Sequence, residues 1–211
     1  MKLNEKQLQD FQKKFGNILN ERDIITDSDT IAPHLVDWVG NVNGSSALML
    51  TPRNSEQVSK ILRLCNEETI AVVPQGGNTG SVASGIPNGE IILSLEKMNN
   101  IISIIPEDYS ITVESGCILS QVQDAAQEVS RFFPLSIGSE GSCTIGGNIS
   151  TNAGGISVLK YGNMRDLVLG LEVVLADGRI MNNLKRLRKD NSGYATKHMF
   201  MGAEGTLGVI T

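Results

Sequence analysis

The sequence is short of several things that usually announce a function. Aromatic residues make up 4% of the 211, and there are 2 histidines, 3 cysteines and 6 prolines. Cys65, Cys117 and Cys143 form no C-x-x-C pair and are odd in number. That excludes a disulfide scaffold and predicts a reducing compartment. His34 and His198 lie far apart with no H-x-x-H or H-x-x-E spacing, so no metal site is expected. Apolar runs such as residues 70–74 are far too short to cross a bilayer, so no integral membrane segment is expected. Residues 1–7 carry no apolar leader core, which together with the free thiols predicts a cytoplasmic location. No G-x-G-x-x-G and no G-K-[S/T] occurs, so neither the Rossmann fingerprint nor a Walker loop is present. A net charge of -5 disfavours nucleic acid as a partner.

Glycine is what the chain has in excess: 22 residues, about a tenth of it, against a usual ~7%. There is no G-X-Y period, which excludes collagen, and too little proline for Pro/Gly low complexity. Five glycines fall in 76–89, eight in 138–170 and three in 202–208. Clustering of this kind reads as backbone approaching something bulky, not as flexible linker.

Hydrophobic spacing gives the elements. Residues 4–19 read as a helix burying Leu8, Phe11, Phe15, Ile18 and Leu19, with Asn4 and Gln7 as a capping box. Residues 47–51 read as a strand, 55–67 as a helix capped by Ser55, and 70–73 and 90–95 as strands. Strands at 101–105 and 110–115 flank a turn at Pro106, and 119–129 reads as a helix. Residues 134–162 read as a long glycine-rich stretch with a loop at 138–155, 167–175 as a strand, and Asp177-Gly178 as a hairpin turn. Three units follow: 1–44 as an N-terminal helix and arm, 45–100 as a first lobe, and 101–211 as a second lobe cut within its last strand.

Three loops carry the chemistry. The first delivers Pro74, Gln75, Gly76, Gly77, Asn78, Thr79, Gly80 and Ser81 from the end of a buried strand. Three glycines in five residues let backbone N–H groups converge into an anion nest, with diphosphate the natural guest; a tight structural turn is the alternative. The second holds Gly138, Ser142, Cys143, Thr144, Gly146, Gly147, Asn148, Thr151, Asn152, Ala153 and Gly154, all small or short and polar. That suits a wall against a flat polar ligand. The third holds Glu204, Gly205, Gly208, Val209 and Ile210, equally readable as a turn into a strand. From Arg179 to His198 there are six Lys/Arg against one acid, which reads as a solvated face, or else as a steering patch for an anionic substrate.

These loops in this order, with Tyr161-Gly162-Asn163-Met164-Arg165-Asp166 between the second and third, resemble the FAD-linked oxidases of the vanillyl-alcohol oxidase type. The resemblance is nearest to the D-2-hydroxyglutarate and D-lactate dehydrogenase branch, and the arm around Asp37-Trp38 shares it. It covers roughly residues 32–211. It implies an α+β fold: a two-lobed FAD-binding domain whose C-terminal substrate domain is absent. It implies FAD held by the three loops and Tyr161-Gly162, with a 2-hydroxy acid as substrate and hydride transfer to flavin N5. Asn78 stands where covalent members carry histidine, so the FAD is expected to be non-covalent. The catalytic base, the metal ligands and the electron acceptor are expected to lie outside these 211 residues. A catalytically silent flavin module, one half of a split enzyme, and a sugar-alcohol oxidase on the same domain are the competing readings. His34 and His198 are expected to be surface or satisfied polar residues, Trp38 a packing anchor, Cys143 a buried filler and Arg165-Asp166 a structural pair.

Overall fold

The computed structural model describes residues 5–211. Asn4 of the expected capping box lies outside them. Helix α1 spans Glu5–Phe15, and the chain turns at Gly16 before the expected end at residue 19. Phe11, Phe15 and Leu19 are nonetheless buried together, with Leu8 and Ile18 packed against them. The arm continues through β1 (Ile24–Ile25) and α2 (Ser28–Ile31), the latter capped by Asp27, whose carboxylate accepts from Thr30 N at 2.8 Å.

Four segments build the first sheet. β2 (Met49–Leu50) leads into α3 (Ser55–Glu67), then β3 (Val72–Gln75) and β4 (Ile91–Ser94). The order is β1-β2-β4-β3, with β2 and β3 parallel to β4 and β1 antiparallel at the edge. β4 is buried along its whole length, as a central strand covered on both faces must be. α3 matches its expected span, but its cap is Asn54, whose side chain accepts from Gln57 N at 2.9 Å, and not Ser55. The Ser55 hydroxyl instead reaches Glu172.

The second half forms two small antiparallel sheets. β5 (Ile101–Ile105) and β6 (Ser110–Val113) make a hairpin. α4 (Leu119–Glu128), α5 (Ile145–Ser150), α6 (Val158–Tyr161) and α7 (Met164–Leu167) follow. β7 (Leu171–Val174), β8 (Ile180–Asn183) and β9 (Val209–Ile210) then pair in the order β8-β7-β9. The period of two along β7 and β9 joins the halves. Val174 and Val209 face the core of the first sheet, whereas Val173 and Ile210 face the core under α4.

Several expectations are corrected. The glycine-rich stretch is not all loop, because it folds into α5 and α6. Gly146 is required within α5: a Cβ there would stand 2.6 Å from Ser115 Cβ, so the helix lies hard against the chain leaving β6. The strand expected from residue 167 starts at Leu171, because Asn163 and Asp166 form a capping box that winds 164–167 into a turn of helix. Asp166 is spent on that cap, and Arg165 donates to the carbonyls of His198 at 2.9 Å and Met201 at 2.6 Å, so the two are not an ion pair. Trp38 is 71% exposed and anchors no core. The basic segment is partly neutralised, Lys185 by Asp190 at 2.6 Å and Arg186 by Asp108 at 3.1 Å.

Candidate functional site

β3 ends in the interior and hands the chain to residues 76–80, which stand against residues 143–148 and 204–210. Together they enclose a cavity of about 230 Å³. The volume is below the 300–1,000 Å³ usual for a whole small-molecule site, so the cavity has room for only part of such a ligand.

Two glycines set how close the loops come. A Cβ at Gly77 would lie 2.0 Å from Ser142 O, and one at Gly76 would lie 2.2 Å from Thr144 Oγ1. Side chains there would force the loops apart. At Gly77 the neighbouring backbone by itself already excludes a side chain. Gly80 differs, because a Cβ there meets no protein atom within 4 Å.

The first loop is braced from outside. Gln75 is buried, its amide donating to His34 O at 3.0 Å and Gly85 O at 2.8 Å, while its Oε1 accepts from His34 Nδ1 at 2.5 Å. This fixes the His34 proton on Nδ1 and makes His34 a satisfied polar residue, as expected. Asn78 adopts φ 49° and donates from Nδ2 to Val36 O at 2.9 Å. The arm is thereby strapped over the loop.

Several donors of the loops that line the cavity are unpaired. Among the described residues, the backbone N–H groups of residues 76–80 and of Gly147 donate to no protein acceptor. Two hydroxyls on the same cavity, Ser115 Oγ and Thr144 Oγ1, are buried without a partner. A buried unmet polar group costs about 1–3 kcal/mol, so the two buried hydroxyls are the groups that a polar ligand would relieve. Within residues 76–80 only Asn78 takes a left-handed backbone.

Most of the expected site residues reach this cavity. Pro74, Gln75, Gly76, Gly77, Asn78, Thr79 and Gly80 line it, with Cys143, Thr144, Gly146, Gly147, Asn148, Thr151 and Ala153, and Glu204, Gly205, Gly208, Val209 and Ile210. Ser81, Gly138, Ser142, Asn152, Gly154, Tyr161 and Gly162 do not. Tyr161 packs edge-on against Phe132 with ring centroids 5.8 Å apart and lines a second cavity. Gly162 closes α6 at φ 77°, and Asn152 Oδ1 accepts from Arg165 N at 2.9 Å. Ser115, Ser139, Ser150 and residues 83–85 line the cavity unforeseen. Ser115 follows an ordinary strand and has no local signal; only the packing of α5 on β6 brings it in.

Burial pushes the Cys65 thiol up to about 12 and the Cys117 thiol up to about 11, and Cys143 is buried as expected of a filler. Among the described residues no group of three His, Cys, Asp or Glu is placed to hold a metal ion. The cavity can bind and orient.

Comparison with known proteins agrees with this chemistry. A family model described as "FAD binding domain" matches residues 46–183. A mitochondrial D-2-hydroxyglutarate dehydrogenase of Danio rerio is 51% identical over 188 residues, covering 89% of this chain and 35% of that protein. A D-2-hydroxyglutarate–pyruvate transhydrogenase of Saccharomyces cerevisiae is 41% identical over 200 residues, covering 93% of this chain and 40% of that protein. A solved structure of alkyldihydroxyacetonephosphate synthase superposes with a TM-score of 0.83 at 20% identity, over 100% of this chain and 43% of that one. The last likeness shows the fold alone. The chain thus spans about a third of the length of curated relatives such as the Danio rerio enzyme. The expected cytoplasmic location is overturned, because the Danio rerio relative is a mitochondrial protein. Free thiols report a reducing environment, and they do not tell one reducing compartment from another.

Proposed function

Since this chain belongs to the FAD binding domain family, we propose that it is the flavin-holding part of a dehydrogenase that oxidises a D-2-hydroxy acid. The observation that carries the reading is the run of unpaired N–H groups at residues 76–80 on the same cavity as two orphaned hydroxyls, Ser115 and Thr144. These residues fit a diphosphate, whose oxygens accept and do not donate. Residues 76–80 and Gly147 would hold it by backbone donors, and Thr144 and Ser115 would add hydroxyl donors. The second and third loops would lie along the rest of the cofactor. Bound FAD would supply the two-electron acceptor for oxidation of the substrate carbon–oxygen centre.

The chain's own residues bind and orient. The Gln75–His34–Gly85 hydrogen bonds and the Asn78 strap hold the first loop so that its donors are organised before the ligand arrives. Asn78 is an amide already committed to Val36 O and offers no imidazole for a flavin bond, which supports non-covalent attachment. The base for the hydroxyl proton, the grip on the substrate carboxylate and the electron acceptor would come from polypeptide outside these residues. In this reading 45–100 and 101–211 are the two lobes that close on the cofactor.

The test is titration of the purified apo chain with FAD, followed by absorbance near ~450 nm and by quenching of flavin fluorescence. Saturable binding that acid precipitation releases supports the reading. A folded chain that does not bind FAD refutes it. Adding D-2-hydroxyglutarate to a longer protein that contains these residues should bleach the flavin. Flavin that binds but never bleaches with any D-2-hydroxy acid refutes the substrate assignment alone.

A further inference from the structure

The arm ends in an apolar tip. Residues 36–43 form a tight hairpin in which Val36 and Asn43 bridge across the base, Asp37 N donates to Val42 O at 3.2 Å, and Gly40 takes φ 79° at the turn. Asp37 is the one charged residue of the segment, and it is buried with its carboxylate accepting from Val42 N at 2.6 Å. The tip therefore presents no charge. What it shows to solvent is Trp38, 71% exposed, Val39, 52% exposed, and Val42, 43% exposed. An indole and two valines held bare on a rigid turn are costly in water, and patches of this kind mark contact sites.

The base of the tip is fixed to the segments that line the glycine cavity. Val36 O accepts from Asn78 Nδ2 at 2.9 Å, and Asn78 lines that cavity. Gly44 N donates to Leu35 O at 2.7 Å, and a Cβ at Gly44 would stand 2.1 Å from Pro87 O, so the base also lies hard against Pro87. Residues 83–85, just before that contact, line the cavity as well, and Val82 beside them is exposed. Trp38 is two residues from the carbonyl that Asn78 holds, at most about 7 Å of backbone. It stands beside the cavity without lining it. At about 230 Å³ the cavity has room for only part of a ligand, so the rest of a dinucleotide lies outside it.

We propose that Trp38 is a cofactor-binding residue, its indole lying against the flavin ring where that ring leaves the cavity beside Asn78. The inference rests on the FAD reading above and adds to it a wall for the ring. Among the flat surfaces of FAD, the dimethylbenzene edge of the flavin is the one without hydrogen-bonding atoms, whereas adenine carries a nitrogen donor or acceptor along each edge. An edge with nothing to donate or accept suits Trp38, Val39 and Val42, which have nothing to offer it but apolar contact. Offset or edge-on packing of a ring against an indole adds to the area it buries. The tip is already held by Asp37 and by the Asn78 strap, so little freedom is lost when the ring arrives. The same strap that fixes the donors of the first loop thereby fixes the distance from those donors to the indole.

The experiment titrates the 211-residue chain and its Trp38→Ala and Trp38→Phe variants with FAD and, separately, with ADP, alongside thermal melts of the apo proteins. ADP carries the diphosphate and the adenine of FAD without the flavin. Trp38→Ala should weaken FAD about tenfold and leave ADP affinity and apo Tm unchanged, because the exposed side chain packs on no core. Trp38→Phe should recover most of the FAD affinity. Trp38 is the only tryptophan, so indole emission reports on it alone; FAD should quench it at saturation and ADP should leave it as it was. Unchanged FAD affinity in Trp38→Ala overturns the proposal. So does an equal loss of ADP affinity, or emission that answers to ADP as it does to FAD, because Trp38 then serves the adenine or the fold of the arm. A wild-type dimer that Trp38→Ala dissociates and FAD does not also overturns it, since a second copy then covers the tip. A folded wild-type chain that binds neither FAD nor ADP refutes the FAD reading itself, a result distinct from a wild-type chain that binds FAD as tightly as its Trp38→Ala variant does.

Discussion

Gly77→Ala is the substitution that most directly tests how the cavity is built. The added Cβ would stand 2.0 Å from Ser142 O, 3.0 Å from Ser142 C and 3.2 Å from Cys143 Cα. All three are backbone atoms, so no side-chain rotation relieves the clash. Ordinary contact needs about 3.4 Å, so the first and second loops must part by more than an ångström. Overpacking of this kind costs roughly 1–3 kcal/mol. In a domain of this size that is about 2–4 °C of Tm per kcal/mol. Donors drawn back by an ångström no longer reach one phosphate, and FAD affinity should fall about 10- to 100-fold, or roughly 1.4–2.8 kcal/mol. Gly80→Ala is the paired control. Its Cβ meets no protein atom, so apo Tm should hold; but if ligand fills the open space beside Gly80, FAD affinity should still fall. The assay is a thermal melt with and without FAD, alongside a fluorescence titration. If Gly77→Ala leaves both apo Tm and FAD affinity unchanged, the loops do not meet as described. Unchanged FAD affinity in Gly80→Ala would place the diphosphate elsewhere.

Other expectations follow from single residues. Thr144→Val removes a buried hydroxyl that has no protein partner, so apo Tm should rise or hold while FAD affinity falls about tenfold; a fall in both would make the hydroxyl structural. Asn78→His should still release its FAD on acid precipitation, because attachment needs a ring aimed at the flavin and this position is turned toward Val36 O; flavin retained after acid denaturation refutes that. Asp23 is fully buried between Arg53 at 3.0 Å and Lys97 at 2.8 Å. Burial pushes its carboxyl up, but the hydrogen bonds and charges of Arg53 and Lys97 outweigh that and hold it at about 2. Its folded value is depressed below the unfolded ~3.9, so its contribution is full above about pH 4 and is lost as pH falls toward 2. Asp23→Asn should therefore cost about 3 kcal/mol at neutral pH and flatten the loss of stability between pH 4 and 2 in denaturant titrations; an unaltered acid limb would show that Asp23 is not the linked group.

Local chemistry made much of this protein readable from its sequence. The helix at α3 and the hairpin at Asp177-Gly178 follow from periodicity and turn residues acting over a few positions. The glycine clusters marked the three loops, because close backbone approach forbids side chains wherever it happens. Tertiary structure decided the rest. It set the reason for each glycine: Gly77 answers to the Ser142 backbone, Gly146 to Ser115, and Gly80 to no protein atom. It brought Ser115 to the glycine cavity and set Tyr161 beside Phe132 on the second one. It turned the expected packing anchor Trp38 to solvent. A glycine in a sequence records only that a side chain is excluded, whereas what excludes it comes from another part of the chain and exists only once the fold has brought the two together.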